Sequence, residues 1–373
     1  MDNFLLIQLV ALVFAVSFGL TASIWGTRHW QMSAIRRRGD QRAVQSSHSA
    51  PTPRLGGVAI VAALVLGSFL IPGEVGDATS LLLLCLVPLL AGGLWEDLGY
   101  GVSPRRRLAL AALSTLLAVA AFGIWVDRVG VPGADWALAL APVGIAFTIF
   151  AVVGVTNAFN LIDGINGLSV SISLLVAASL GYVAASHGVF ELTQASAVLM
   201  GALGGFLFIN YPFGMVFLGD AGAYSVGFIL AGLAVALMHF APAVSPAAVL
   251  LIFFWPVADT VFAIYRRRVS GRRSDKPDRL HFHQLTMRAI EISLVGRRRR
   301  ALSNPLATAI IVPVAASPML AGVALSDNNA AAFAVLFIFA VLFFVAYKLV
   351  INWARRRPNR IAASTAGQPA HEL

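Results

Sequence analysis

The chain has 373 residues, of which 58% are hydrophobic and only 12% charged, and its mean hydropathy is +0.82. Soluble domains carry about a quarter of their residues as charges, so a water-exposed globule is excluded and a bilayer is the expected solvent. A net charge of +10 on a soluble protein would suggest nucleic acid, but here the position of the charges points elsewhere, and the single cysteine, Cys85, excludes an intrachain disulfide and a cysteine-built metal site.

Crossing about 30 Å of hydrocarbon takes roughly 20 apolar residues. In chain order such stretches fall at about 3–25, 55–72, 79–95, 108–126, 138–155, 167–186, 192–210, 222–240, 246–265, 305–325 and 330–352. The expected fold is all-α, a polytopic bundle of about 11 transmembrane helices. Residues 1–352 form one membrane domain, and 353–373 form a basic cytoplasmic tail expected to be disordered. The longest connection, 266–304, is too short for a separate core.

An odd number of crossings puts the termini on opposite sides. Every Lys and Arg except Arg128 then falls on one side, in 26–54, 96–107, 266–304 and the C-terminal end. The positive-inside rule makes that side cytoplasmic and the N-terminus external. The positive charges follow the first apolar run rather than precede it, so no cleaved signal peptide is expected there. Glu74, Asp77, Asp127, Asp135, Glu191 and Asp327 lie on the other side and read as solvated loop residues.

Polar residues at membrane depth are costly, and here they gather toward the cytoplasmic face. Pro51-Thr52-Pro53-Arg54-Leu55-Gly56-Gly57 opens the second span. Its glycines permit close backbone approach, and Arg54 suits either a phosphate or an interfacial anchor. Trp95-Glu96-Asp97 ends the third span, before Arg105, Arg106 and Arg107. Paired carboxylates there suit a magnesium ion, a proton, or ion pairs with those arginines.

Asn157, Asn160, Asp163 and Asn166 recur at every third position of a connection that has no Lys or Arg. The first three would share one helical face, and glycines at 164 and 167 would let a ligand approach. Asn210-Tyr211-Pro212 leads to Phe217-Leu218-Gly219-Asp220-Ala221-Gly222. Asp220 between small residues suits a metal-binding carboxylate with room for phosphates, or a turn. Asp259 is the other intramembrane acid and is expected to pair with an arginine. Asp278-Arg279-Leu280-His281-Phe282-His283 lies in the basic loop, where electropositive surroundings favour phosphate or sugar over a second cation. The Arg297–Arg300 run reads as a lipid-headgroup anchor.

In this order the segments resemble the polyprenyl-phosphate N-acetylaminosugar-1-phosphate transferases, the MraY/WecA family, over Pro51 to His283. The span count and external N-terminus resemble the WecA branch. The resemblance implies transfer of a sugar 1-phosphate, N-acetylhexosamine 1-phosphate, from a UDP-sugar to undecaprenyl phosphate, with release of UMP, for cell-envelope polysaccharide synthesis. It implies an integral inner-membrane enzyme with a cytoplasmic site, requiring magnesium or manganese. Its partners are the two substrates and membrane lipids, not nucleic acid, with a homodimer as one allowed assembly.

Carried over residue by residue, Asp97 would be the acid near the lipid phosphate, with Glu96 beside it. Asn160 and Asp220 would hold the metal, and Asp163 would line the nucleotide site. Arg54, Arg107, Asn157, Asn166, Asn210, Phe217, Arg279, His281 and His283 would contact substrate, Phe217 by stacking on uracil. The sequence departs from the family pattern at Glu96, where an aspartate is usual, and at Asn166, where many members have an aspartate. It also departs at Gln284, where a histidine is common, and at Ala223, where a serine is frequent. The rival reading is a transporter or flippase of lipid-linked sugars. That would place polar residues near the midplane and show internal repeats; the polar residues here gather at one face, and no repeat stands out.

Overall fold

The computed structural model describes residues 3–29, 52–269, 280–295 and 300–365. Pro51, Asp278, Arg279 and Arg297 lie outside them. Among the described residues there are helices and no strand: α1 (Asn3–Gly26), α2 (Gly56–Leu70), α3 (Glu74–Asp97), α4 (Pro104–Phe122), α5 (Pro132–Leu138), α6 (Ala141–Ile162), α7 (Leu168–Ser186), α8 (Phe190–Asn210), α9 (Gly219–Phe240), α10 (Pro246–Ile252), α11 (Phe254–Val269), α12 (Phe282–Ile290), α13 (Arg300–Ala324) and α14 (Asn329–Thr365).

Every apolar stretch read from the sequence is helical. Among the described residues, eight helices are long and apolar enough to cross a membrane: α1, α3, α6, α7, α8, α9, α13 and α14. The pair α10–α11 makes a ninth candidate, bent by 83°. Two other expected crossings are weaker. Helix α2 has 15 residues, and α4 opens on Arg105, Arg106 and Arg107 behind its Ser103 cap. The short α5 was not expected. The Asp135 carboxylate organises its approach by accepting from Val129 N at 2.6 Å and Gly130 N at 3.1 Å, so Asp135 is a structural residue rather than a solvated one.

Helix α9 is the axis of the bundle. Most of its residues are buried, as expected for a helix apolar on all sides, and it packs on α2, α3, α6 and α7. Helices associate in lipid by close van der Waals fit, which small residues permit. A Cβ on Gly57 of α2 would collide with the Gly222 backbone of α9. One on Gly93 of α3 would lie 2.5 Å from Ala221 Cα. One on Gly227 of α9 would lie 2.9 Å from Thr156 Cα of α6.

Both ends of α9 meet charges of the sign that favours the helix dipole. Its N-terminus receives the carboxylate of Asp97. At its other end, the Arg128 guanidinium donates to Met238 O at 3.0 Å, Val244 O at 2.9 Å and Ala241 O at 3.4 Å. Arg128, the one basic residue that breaks the charge segregation, thus closes the C-terminal carbonyls of the central helix. Nearby, His187 Nε2 meets Asp327 Oδ1 at 2.6 Å, tying the α7–α8 turn to the α13–α14 turn.

Gly57→Val should lower the stability of the detergent-solubilised protein by on the order of 3 kcal/mol or more, because backbone and not a movable side chain stands in the way. Gly19→Ala, on α1 where a Cβ meets nothing within 4 Å, should hold or slightly raise it. Thermal unfolding followed by circular dichroism checks both, and equal shifts would contradict the close α2–α9 contact.

Candidate active site

The adjacent acids Glu96 and Asp97 do not act as a pair. Neighbouring helical positions diverge by about 100°, and the two carboxylates serve different backbones. Glu96 Oε2 accepts from Val102 N and closes the turn between α3 and α4. Asp97 is 5% exposed. Its Oδ1 accepts from Asp220 N at 2.9 Å and its Oδ2 from Ala221 N at 2.8 Å. The first N–H groups of a helix have no partner within it. The residue before α9, Leu218, supplies no side-chain cap, so α3 supplies the cap across the bundle. Gly219, at φ +75°, is required at this junction: a Cβ there would lie 2.6 Å from Asp97 Oδ2 and would collide with Arg54 O.

That junction fixes Asp220 at the mouth of α9. Its side chain is about a quarter exposed, at 23%. Arg107, from the first turn of α4, pairs with Asp220 Oδ2. Asn160, from the last turn of α6, donates from Nδ2 to Asp220 Oδ1 at 3.2 Å. Helix α6 runs past the expected end of its span, so Asn157 and Asn160 are helical and Asp163 is its C-cap. Burial above all, and then the Asp220 carboxylate, push the Asp163 carboxyl up to about 7, against the pull of the Arg54 guanidinium. Asn157, half-buried, lies one turn before Asn160. The entry to α2, the first turn of α4 and the end of α6 therefore meet the N-terminus of α9 at one end of the bundle.

Two residues expected to contact substrate are also tied into the frame of the bundle. Asn210 is buried; its Oδ1 accepts from Gly167 N at 2.7 Å and its Nδ2 donates to Val216 O at 2.7 Å. Asn166 is buried; its Nδ2 donates to Pro212 O at 2.9 Å and its backbone N–H to Asn304 Oδ1 at 2.8 Å. Its carbonyl accepts from Thr308 Oγ1 at 2.7 Å. The every-third spacing ceases to describe one face because the helix stops at Ile162. Sequence reading missed Asn304 and Thr308; two polar residues at the head of an apolar span were the available signal. Phe217 is half-buried and threads its backbone between Pro53 O, at 2.8 Å, and Gly56 N, at 3.0 Å.

The histidine loop docks on the end of α6. His283 is 2% exposed, and a Cβ on Gly164 would collide with its Nε2. Burial, the main cause, and the neighbouring His281 push the His283 ring down to about 4 despite the opposing Asp259, so it is neutral at pH 7. His281 is buried, and its Nδ1 meets Asp259 Oδ2 at 2.8 Å. Asp259 was expected to pair with an arginine; its partner is this histidine. Arg279 lies outside the described residues.

Residues 79–238 match the model of glycosyl transferase family 4. The family-4 segment holds Asp97, Arg107, Asn160, Asp163 and Asp220, while Arg54 and the histidine loop lie outside it. Similar proteins include the undecaprenyl-phosphate alpha-N-acetylglucosaminyl 1-phosphate transferase of Yersinia pestis, 28% identical over 67% of this chain and 69% of the relative. The protein of the same name in Escherichia coli strain K12 is also 28% identical over 67% of this chain and 69% of its own length. The probable undecaprenyl-phosphate N-acetylglucosaminyl 1-phosphate transferase of Bacillus subtilis is 28% identical over 66% and 69%.

Because Asp97 caps α9, Asp97→Ala should lower stability by on the order of 2 kcal/mol with no substrate present. Glu96→Ala, which frees a partly exposed turn, should cost less than about 1 kcal/mol. Thermal unfolding in detergent measures both, and the reverse order would refute this division of roles.

Proposed function

We propose that this chain transfers a sugar 1-phosphate, of the N-acetylhexosamine class, from a UDP-sugar to undecaprenyl phosphate at the cytoplasmic face of the inner membrane, releasing UMP. The observation that carries this reading is the convergence of Asp220, Arg107, Asn160, Asp163 and Arg54 at one mouth of a membrane bundle whose relatives are named as such transferases. Among the relatives given, none is named as a transporter, and the polar cluster lies at helix ends rather than at mid-membrane depth.

The reaction brings two anions together, the acceptor phosphate and the β-phosphorus of the diphosphate donor. Arg107 and Arg54 reduce that repulsion at the site, and positioning both substrates there provides much of the remaining acceleration. A phosphate monoester has a second pKa near ~6, so the acceptor is largely dianionic and needs no strong base. Both Asp97 oxygens accept backbone N–H groups. This favours direct displacement, with Asp97 holding Asp220 in place, over attack by an aspartyl nucleophile. Asp163, with its carboxyl near 7, is the group suited to take any remaining acceptor proton.

The donor set fits magnesium, or manganese. Asp220 and Asn160 bring a carboxylate and a side-chain amide together from two helices, and a turn of the amide would present its oxygen as a second hard ligand. Among the described residues no three His, Cys, Asp or Glu side chains form a metal cage, and magnesium characteristically takes one or two protein oxygens and the rest from water and substrate phosphates. Bound there, it would neutralise charge on the diphosphate.

Purified protein given undecaprenyl phosphate, magnesium and a panel of radiolabelled UDP-sugars should yield UMP and labelled lipid. Asp220→Asn should reduce the rate by about 10³-fold while unfolding normally. Failure of every UDP-sugar, or near-normal transfer by the variant, would count against the assignment. The orientation has its own test: a reporter after Arg360 should read cytoplasmic and one at Gly76 external, from the segregation of Lys and Arg. Both on one side would overturn it.

A further inference from the structure

Asp259 lies on α11, just beyond the 83° bend that separates it from α10, and is 2% exposed. A buried carboxylate so deep in a membrane protein is costly without partners, and both of its oxygens are engaged by one short segment. Oδ2 meets His281 Nδ1 at 2.8 Å, and Oδ1 accepts from Phe282 N at 3.0 Å. The second bond caps α12, whose own cap position, His281, offers no side-chain cap. The carboxylate therefore fixes both the start of α12 and the plane of the His281 ring.

The surroundings reinforce that plane. His283 stacks on His281 with centroids 5.8 Å apart and planes 14° apart, and it is itself pressed against Gly164 beside Asp163. Arg266 Nη1 and Tyr347 Oη donate to Leu280 O, the residue before His281, at 3.1 and 2.8 Å. Phe282 lies between Trp255 and Phe343, with centroids 5.0 and 5.3 Å away. Among the described residues, Asp259 and His283 are the titratable groups that meet the ring, and Arg266 and Tyr347 hold the residue before it.

With Nδ1 engaged by Asp259, Nε2 is the ring nitrogen left for a ligand. A carboxylate acceptor holds the proton on Nδ1 and so sets which ring nitrogen faces the ligand. We propose that Asp259 is a positioning residue: through His281 it fixes the ring, and the proton on Nδ1, that the histidine loop offers to the diphosphate of the donor. This rests on the transfer reaction proposed above.

The discriminating variant is Asp259→Asn. An asparagine can still accept from Phe282 N and donate to His281 Nδ1, so the clamp on the loop survives while the tautomer reverses. The full-length protein, labelled with ¹⁵N-histidine, should show His281 protonated on Nδ1 in the wild type and on Nε2 in Asp259→Asn, the signal being assigned by its loss in His281→Gln. Under transfer conditions Asp259→Asn should lower kcat/KM by about 10-fold or more. In the His281→Gln background the same change should have no further effect. An unchanged tautomer, a wild-type kcat/KM in Asp259→Asn, or additive losses in the double variant would each overturn the proposal. The tautomer comparison needs no turnover, so it judges Asp259 separately from the transfer reaction itself.

Discussion

Everything at the site depends on a helix end capped from another helix. Helix α9 begins without a side-chain cap of its own, and the missing acceptor arrives from Asp97 at the end of α3. In hydrocarbon or at its edge, free N–H groups have little water to turn to. The cap and the position of Asp220 are therefore one structural fact. The glycines follow from it: Gly219 must admit Asp97 and Arg54 O, and Gly57 and Gly93 must let α2 and α3 close on the first turn of α9. A larger residue at any of these positions would move the carboxylate that the chemistry needs.

The same logic explains where charge is placed. The arginines that hydropathy reads as orientation signals include Arg107 and Arg54, which stand beside Asp220 and Asp163. Arg128, isolated on the other side, closes the opposite end of the same central helix. A carboxylate at one end and a guanidinium at the other both favour the dipole of α9. The bundle thus uses charge to hold its central helix, and one end of that arrangement is also the proposed substrate site.

Much of this was legible in the sequence because lipid imposes a strong rule. Long apolar runs had to be helices, and the structure shows the one over 219–240 to be the most buried of them. Asn160 and Asp220 were readable as neighbours in function, and the structure joins them at 3.2 Å. What periodicity could not show was where each helix stops. The end of α6 at Ile162 separates Asn160 from Asn166, and the turn after α8 takes Asn210 into the frame. Nor could spacing along the chain reveal partners across it, such as Asp97 with α9, more than a hundred residues away, or Asp259 on α11 with His281 at the head of α12.

The departures from the family pattern acquire a physical reading in this light. Glu96, a methylene longer than aspartate, is the residue that reaches Val102 N and closes the α3–α4 turn. Asn166, where a carboxylate is common, donates from its amide to Pro212 O, a bond that an ionised aspartate could not make. Ala223 is fully buried within α9, where a serine would bring a hydroxyl needing a partner. Gln284 follows His283 with its Oε1 buried on the side of α12 that packs into the bundle. None of the four bonds to Asp220, whose side-chain partners are Arg107 and Asn160. The changes therefore fall on the frame that sets the distances between helices. In such a site, substrate selectivity would shift through the shape of the opening while the charged centre keeps its chemistry.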